Sequence, residues 1–500
     1  MTQVFYLSEE QKTNNMLQFN KEYQNLNGGF LHAISKKSAQ YLKQILRNKG
    51  SLKKLPIDLN KLDRTISHTH PHLDEYFADL LFRSSLPDYK MDIDFMEMSV
   101  QSQEYDSTCE AYWPNAAVMG IGATLNNKPK SIYLFDEHMK NGKVKDLSCS
   151  QIVADQTFNR FLPKSVLTLL KEVNEIDAAG GAHTQHIGNI IKTAHNVRFM
   201  FKKGEIYHNH LKNWLPPQWK KTMMDASMTA IIYCLENNIA LWKDFKVRAE
   251  AIKESMEYYF DHCPYQNDPI FNDAVKFLRA TYRNQSPSFL KASLPITKNT
   301  PQLMTLGKVC LALQLCWGKD IARIIMMNFW EVVYQGQAIF NDSMLELQPL
   351  SSLPLNQSLH SKYGSFQRKI IRLKGFKSSQ SSHRDLWLFY TEPTPMFVLG
   401  NRPLMYLLNQ QNSGYGIVFF NDHFHFRKAI FCGKNVPYIF WKRLVNHICK
   451  EEPDCWHKSY KYNTNTYVPF LINGNPAHGY VPQSQIELKD LISIISKVDI

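Results

Sequence analysis

A histidine-rich segment carries the strongest chemical signal in the sequence. It reads His68-Thr69-His70-Pro71-His72-Leu73-Asp74-Glu75. In an extended backbone, alternate side chains point to the same face, so His68, His70 and His72 would lie together. Asp74 would then fall in the first turn of the following helix, where the helix dipole favours a negative charge. This set of side chains can bind one or two divalent metal ions, and a polar turn with surface histidines is the alternative.

Two further acidic groups follow predicted buried elements. Asp136-Glu137-His138 comes directly after the apolar strand Ser131–Phe135, at the strand end where open α/β sheets present ligand-binding residues. Asp177 extends the apolar stripe of a helix predicted over Val166–Asp177. A carboxylate on a buried face is costly unless it is paired or bound to a metal. Asp177 is therefore a candidate metal ligand, and an aspartate that caps or pairs within the core is the alternative.

The order of these motifs resembles a known family. HTHPHLDE, DEH and VNEIDAAGG are similar to the motif series of the DHH phosphoesterase superfamily, most closely to its melanocyte-proliferating-gene family of metal-dependent exoribonucleases. Near the end of the sequence, Phe440–Leu444 and Val468–Leu471, with Gly474, His478 and Gly479 after them, resemble the family's terminal motifs. The resemblance covers about residues 63–180 and, more loosely, about residues 400–495.

The resemblance implies a two-metal site that holds Mn²⁺ or Mg²⁺. The metal ligands that it implies are His68, His72, Asp74, Glu137 and Asp177. Asp136 and His138 would be the catalytic residues, with His138 in contact with the scissile phosphate. Glu137 stands where the family has a histidine, and a carboxylate is also a suitable ligand for these metals.

One departure from the family pattern concerns a carboxylate that bridges the two metal ions. The family carries an aspartate in the strand that corresponds to Val118–Gly122, and this sequence has Gly120 at that position. Three nearby histidines are candidates to compensate for the loss, and they are His70, His183 and His186.

The charge of the chain points to polyanionic partners. The chain has 500 residues and a formal net charge of +13, which favours binding to nucleic acid. Residues 347–384 contain no Asp or Glu and include Arg368, Lys369 and Arg372, which are candidate RNA-binding residues. A solvated basic loop is the alternative. The resemblance also implies a glycine-rich element that grips the substrate, and its counterpart here contains Gly474, His478 and Gly479, where glycines would let backbone N–H groups approach a phosphate. An ordinary turn between a strand and the last helix is the alternative.

The composition excludes several classes of protein. Hydrophobic residues make up 44% and charged residues 21%, as in ordinary globular proteins. No apolar run reaches the roughly 18 residues of a membrane span, and the first residues do not resemble a secretory signal. Nine cysteines without a CxxC pair favour a reducing compartment. The sequence therefore predicts a soluble cytoplasmic protein with no membrane partner, and it leaves the oligomeric state open.

The elements that must position these residues alternate between strand and helix. Strands are predicted at Thr65–His68, Met91–Met98, Ala116–Ile121 and Ser131–Phe135, with an amphipathic helix over Leu73–Ser84. The predicted fold class is α/β, with a DHH-like parallel-sheet domain, a helical middle region and a smaller C-terminal α+β domain. The predicted boundaries are a helical N-terminal extension at 1–62, a DHH-like catalytic domain at 63–190, a helical region at 191–345, a basic linker at 346–385 and a substrate-gripping domain at 386–500.

These features predict a metal-dependent phosphodiesterase that hydrolyses RNA or short oligonucleotides, with 3′–5′ exoribonuclease-like activity implied by the resemblance. Gly120 supports a different hypothesis, a catalytically degenerate nucleic-acid-binding or regulatory protein that kept the fold. A third hypothesis keeps the chemistry and changes the substrate to a small nucleotide.

Overall fold

The structure of the protein is a computed structural model that falls into two compact units, residues 1–338 and 339–500. Both helices and strands are present, so the predicted mixed α/β class is confirmed. The residues that the structure describes are 27–49, 62, 64–68, 71–86, 92–96, 116–120, 133–137, 147–158, 162–179, 186–188, 190–191, 217–263, 266–267, 269–283, 302–352, 358–361, 364–372, 385–391, 416–422, 427–433, 435–459, 470–473 and 482–498.

The first unit contains a four-stranded sheet in which all the strand pairs are parallel. Its strands are β1 (Arg64–His68), β2 (Asp92–Met96), β3 (Ala116–Met119) and β4 (Tyr133–Phe135). The order is β2-β1-β3-β4, so the chain leaves β1 in one direction for β2 and then crosses to β3 on the other side. Ligands in open α/β sheets bind outside the carboxyl ends of strands at such a reversal. The four predicted strands are confirmed, with ends that differ by a few residues.

Most of the described residues of the first unit are in helices, the last of which continues beyond residue 338. The helices are α1 (Asn27–Lys49), α2 (Leu73–Ser85), α3 (Cys149–Thr157), α4 (Lys164–Ala179), α5 (Pro217–Glu236), α6 (Phe245–His262), α7 (Pro269–Arg283), α8 (Leu306–Trp317) and α9 (Lys319–Ser352). A 3₁₀ turn, Ala240–Lys243, lies between α5 and α6. One hydrophobic core runs from α1 and α2 through α5 to α9, so the helical region after residue 191 shares its core with the sheet. Within the described part of the chain, no helix is long and apolar enough to cross a membrane.

A buried ionic network holds α2 in place. Arg83 donates from Nε to Asp79 at 2.6 Å and from Nη2 to Asp225 on α5 at 2.7 Å. Lys221 Nζ lies 2.8 Å from the same Asp225 carboxylate, and Ser35 on α1 donates to it at 2.6 Å. This Arg83 network ties α1, α2 and α5 together, and it therefore fixes the helix that carries Asp74.

The second unit is built on a seven-stranded sheet of order β10-β11-β9-β8-β7-β6-β5. Its strands are β5 (Ser358–Ser361), β6 (Gly364–Arg372), β7 (Asp385–Thr391), β8 (Gly416–Asp422), β9 (Arg427–Cys432), β10 (His457–Ser459) and β11 (Phe470–Asn473). Helices α10 (Tyr438–Glu451) and α11 (Leu488–Lys497) share a core with β8 and β9. Strands β8 and β9 are consecutive along the chain and pair antiparallel.

The prediction of a basic linker at 346–385 is wrong for the described part of that stretch. It contains the end of α9 and the strands β5 and β6, and β6 pairs with β7 over seven residues. The serine and basic residues suggested a linker because such residues do not favour strands. The strand forms despite them, because backbone pairing with β5 and β7 does not depend on side-chain type. The sheet of the second unit therefore begins at Ser358 rather than after residue 386.

Candidate metal centre

Asp74 lies in the first turn of α2, as predicted, and it is buried. Its carboxylate accepts hydrogen bonds from the backbone N–H groups of Cys149, at 2.7 Å, and Ser150, at 2.9 Å. The Ser150 hydroxyl donates a third. These groups begin α3, so Asp74 binds the N-terminus of a second helix in addition to any metal. No local pattern in the sequence indicates this capping role, because the partners are 75 and 76 residues away.

Glu137 is the most strongly perturbed carboxyl group of the site. It follows β4 directly, and oxygen atoms of Glu137 and Asp74 and the Cys149 Sγ all lie within 4.8 Å of one another. Burial, and after it the charges of Asp74, Glu75, Asp136 and Asp177 in that order, together raise the pKa of Glu137 to about 10. Burial and the neighbouring Glu75 raise the pKa of Asp74 to about 6, against the hydrogen bonds from Ser150.

The same interactions show which predicted residues the fold brings together. Asp136 and Glu137 are both buried at the end of β4, and Asp177 near the end of α4 acts electrostatically on Glu137. Asp74 and Glu137 therefore lie together at the carboxyl end of the parallel sheet, and Asp136 and Asp177 are close enough to act on Glu137 electrostatically. We call these residues and Glu75 the acidic cluster.

Glu75 fills the place that Gly120 leaves open. Gly120 follows β3 with φ +68°, a left-handed conformation that favours glycine. A Cβ atom at Gly120 would lie 2.6 Å from Glu75 Cγ and 2.9 Å from Glu75 Oε1, so no larger residue fits without moving this side chain. Glu75 Oε2 also accepts from the His72 backbone N–H at 2.6 Å. Sequence reasoning missed Glu75, since only the fold brings it to the end of β3.

The donor set favours a hard divalent cation. Carboxylate oxygens are the ligands that Mg²⁺ and Mn²⁺ prefer. The Cys149 thiol donates to the Phe135 carbonyl at 3.0 Å, and burial together with the acidic cluster raises its pKa well above the usual value. The ligand atoms that lie within 4.8 Å of one another belong to Asp74, Glu137 and Cys149, and this buried group could hold a metal ion with the two carboxylates as its hard donors.

The predicted histidines have different outcomes. His72 borders the acidic cluster, with Nδ1 3.8 Å from Glu75 Oε1, and 43% of its side chain is exposed. His68 is the last residue of β1. His186 does not have a nitrogen available for a metal, because Nδ1 accepts from the Gly188 N–H at 3.1 Å and Nε2 lies 3.0 Å from Glu172. The prediction of His186 as an additional ligand is therefore wrong.

Other predicted site residues lie outside the described residues, namely His70, His138, His183, Gly474, His478 and Gly479. Arg368, Lys369 and Arg372 belong to β6, where they pair in register with Phe389, Leu388 and Asp385 of β7. Their role in RNA binding stays a prediction.

Neither protein-family models nor curated proteins provide a relative of this chain: no family model matches it, and no curated protein matches it.

Proposed function

We propose that the protein is a metal-dependent phosphodiesterase that acts on RNA or short oligonucleotides, with a DHH-like catalytic unit. The observation that carries the proposal is that Asp74 and Glu137 lie together beyond the carboxyl ends of the parallel strands, at the reversal of strand order, with Glu75 and Asp177 acting on Glu137 electrostatically. Buried carboxylates that raise one another's pKa are costly in the absence of a cation. The basic charge of the chain supports a polyanionic substrate, and its cysteine usage supports a cytoplasmic setting.

In this proposal each residue of the acidic cluster has a defined task. Asp74, Glu75, Glu137 and Asp177 would hold Mn²⁺ or Mg²⁺, together with His72 at the cluster's border and His68, the last residue of β1. Bound divalent cations activate water and stabilise charge on phosphoryl oxygens. The α3 N-terminus fixes the orientation of the Asp74 carboxylate through two backbone N–H groups. The resemblance assigns His138 to the scissile phosphate, with Asp136 beside it.

Substrate binding in the second unit forms part of the same proposal. Arg368, Lys369 and Arg372 of β6 would contact phosphates of the RNA strand, and Gly474, His478 and Gly479 would add further substrate contacts. Arginine and lysine contacts to phosphates give affinity without sequence preference, which suits a degradative enzyme.

A second candidate function is a nucleic-acid-binding protein without catalytic activity. The use of both Asp74 oxygens by α3 favours it, because a carboxylate that caps a helix is partly committed to structure. In that case the acidic cluster would bind a cation for stability alone.

Hydrolysis assays with an Asp177 variant distinguish the two functions. Asp177→Asn removes one charge from a partly exposed ligand of the acidic cluster and leaves the cap at Asp74 intact. We expect Mn²⁺-dependent cleavage of single-stranded RNA and of a dinucleotide by the native protein, and a loss of at least about tenfold in the variant, the scale on which weakened metal sites lose activity. Asp273→Asn, at a 72% exposed side chain on α7, is the matched control and should keep full activity. Metal binding without any cleavage by the native protein would favour the non-catalytic function.

A further inference from the structure

Another charged region lies in the first unit, formed by the 3₁₀ turn before α6, the first turn of α6 and the first residues of α8. It contains Lys243, Arg248 and Lys308, which we call the basic patch. Lys308 Nζ lies over the ring of the buried Trp242, 5.1 Å from its centroid. Burial lowers the pKa of Lys308, and the nearby charges of Arg248 and Lys243 lower it further. Lys308 thus lies in a partly buried region beside two other cations, which disfavours its charged state.

The carboxylates within reach of the basic patch already have other partners. Glu172 raises the pKa of Lys308, but it accepts hydrogen bonds from the backbone N–H groups of Gln302, Leu303 and Met304. The charge of Asp244 raises the pKa of Arg248 and so acts against the effect of burial. The Asp244 side chain also accepts hydrogen bonds from the backbone N–H groups that begin α6. Among the described residues, neither Lys243 nor Lys308 forms an ion pair. The basic patch therefore has positive charge in excess of its local anions.

Apolar side chains flank these cations at the surface. Leu241 is 56% exposed and Phe245 is 48% exposed. The Arg248 guanidinium lies 5.9 Å from the centre of the Phe245 ring. Exposed aromatic rings beside phosphate-binding cations are the combination by which proteins hold single-stranded nucleic acid, with bases on the rings and phosphates on the cations.

We infer that the basic patch with Phe245 is a binding site for single-stranded nucleic acid. The phosphodiester groups contact Lys243, Arg248 and Lys308, and a base stacks on Phe245. The choice of RNA as the nucleic acid rests on the proposed function. The site is separate from the candidate RNA-binding residues of β6, which belong to the second unit.

Helix α4 carries residues that act on the basic patch and on the acidic cluster. Glu172, which acts on Lys308, and Asp177, which acts on Glu137, lie on the same helix α4, five residues apart. Five residues of α-helix span about 7.5 Å along the axis. The two regions therefore act on residues of the same helix, at positions about 140° apart around its axis.

Binding of a short fluorescein-labelled oligouridylate in EDTA tests the inference without cleavage. Fluorescence anisotropy is measured over a range of salt concentrations for the native protein and for Lys243→Gln/Arg248→Gln/Lys308→Gln. We expect the triple variant to bind at least about tenfold more weakly and the log–log salt slope to fall by about 2, since each phosphate contact on a single strand contributes about 0.7. Phe245→Ala should weaken binding about tenfold, the order expected for one lost base stack.

Matched controls remove equal charge or equal aromatic surface elsewhere in the unit. Lys171→Gln/Lys253→Gln/Lys276→Gln removes three exposed lysine charges, and Phe277→Ala removes a 42% exposed ring. Both controls should bind RNA as the native protein does. Equal loss in the control and patch variants would overturn the inference, because the effect would then follow net charge alone.

Three further results distinguish this inference from mononucleotide binding and from the proposed phosphodiesterase function. If uridine monophosphate binds with the same dependence on the basic patch while the oligouridylate does not, the site takes a mononucleotide and the inference is wrong. If the native protein binds RNA through the basic patch but cleaves nothing in Mn²⁺, the inference holds and the proposed phosphodiesterase function fails. If the native protein cleaves RNA but binds it independently of the basic patch, the phosphodiesterase function holds and the inference is wrong.

Discussion

Helix α2 carries buried carboxylates in two opposite electrostatic settings. Asp79, in its middle, contacts Arg83 at 2.6 Å, and Lys221 lies 3.5 Å from it. Burial alone would raise the pKa of Asp79, but these two cations lower it below the usual value. Asp74, at the start of the same helix, has a pKa raised to about 6. The pKa of Glu137, which lies beside Asp74, is raised to about 10.

The difference separates a structural network from a candidate binding site. In the Arg83 network the protein supplies its own cations, so the charges are balanced when the chain folds. In the acidic cluster the leading electrostatic influences on Glu137 are other carboxylates, which favour its protonated form. Perturbed groups of this kind concentrate at functional sites, and a divalent cation would reverse the direction of the perturbation.

The largest expected effect comes from breaking the balanced network. Arg83→Met leaves Asp79 and Asp225 buried with one cation fewer, and removal of one partner from a buried ion pair costs about 3–5 kcal/mol. We expect this loss in the free energy of unfolding by urea, with and without Mn²⁺. Arg323→Met is the control, because Arg323 pairs with Glu254 at a partly exposed position and should cost under about 1 kcal/mol. Equal losses for the two variants would contradict a special role for the network.

The next effect concerns the contact between Gly120 and Glu75. Gly120→Ala should cost about 1–2 kcal/mol from its positive φ, displace Glu75 and weaken Mn²⁺ binding about tenfold by isothermal titration calorimetry. Gly318→Ala is the control, because Gly318 has φ +86° and nothing within 4 Å of an added Cβ, so it should lose stability and keep metal affinity.

A double variant tests whether a carboxylate at position 120 can replace the one at position 75 as a metal ligand. Glu75→Ala should weaken Mn²⁺ binding, and Glu75→Ala/Gly120→Asp should recover part of it, because aspartate tolerates a left-handed backbone and the Glu75 side chain no longer blocks the space. If the double variant binds Mn²⁺ no better than Glu75→Ala, the carboxylate at the end of β3 is not a metal ligand.

The helix and strands next to the site could be predicted from the sequence, because they follow from the local spacing of apolar residues. The stripe along Leu73–Ser84 indicated α2, and the apolar runs before Gly120 and Asp136 indicated β3 and β4. Their parallel pairing then brought Asp74 and Glu137 together as expected. Contacts between distant segments were not predictable, because the partner of each group depends on packing rather than spacing.

Particular residues show this limit. Glu75 has no distinguishing pattern beside Asp74, and only the fold places it over Gly120. His186 resembled a ligand in sequence, but Glu172 and the Gly188 N–H occupy its ring. Cys149 reaches the acidic cluster from a Ser-Cys-Ser segment with no metal-binding pattern. Strand β6 was hidden by its basic residues, which β-propensity penalises although pairing on both sides stabilises the strand.

The most direct test of the metal site compares the native protein with Glu137→Gln in thermal unfolding across pH. The folded-state pKa of Glu137, about 10, lies above the usual value of 4.5, so the folded protein keeps a proton that the unfolded chain releases. Stability without metal should therefore fall as pH rises between these values, by about 1.4 kcal/mol per pH unit from this group. Glutamine does not titrate, so the variant should lack this component.

Addition of Mn²⁺ completes the measurement. A metal ion must displace the proton on Glu137, so we expect Mn²⁺ to raise the melting temperature of the native protein, and to do so more at high pH than at low pH. In Glu137→Gln, Mn²⁺ should raise the melting temperature little at any pH. The control Glu250→Gln changes a side chain that is 76% exposed, and it should behave as the native protein does. Equal stabilisation of the native protein and Glu137→Gln by Mn²⁺, or no stabilisation of either, would contradict a metal site at the acidic cluster.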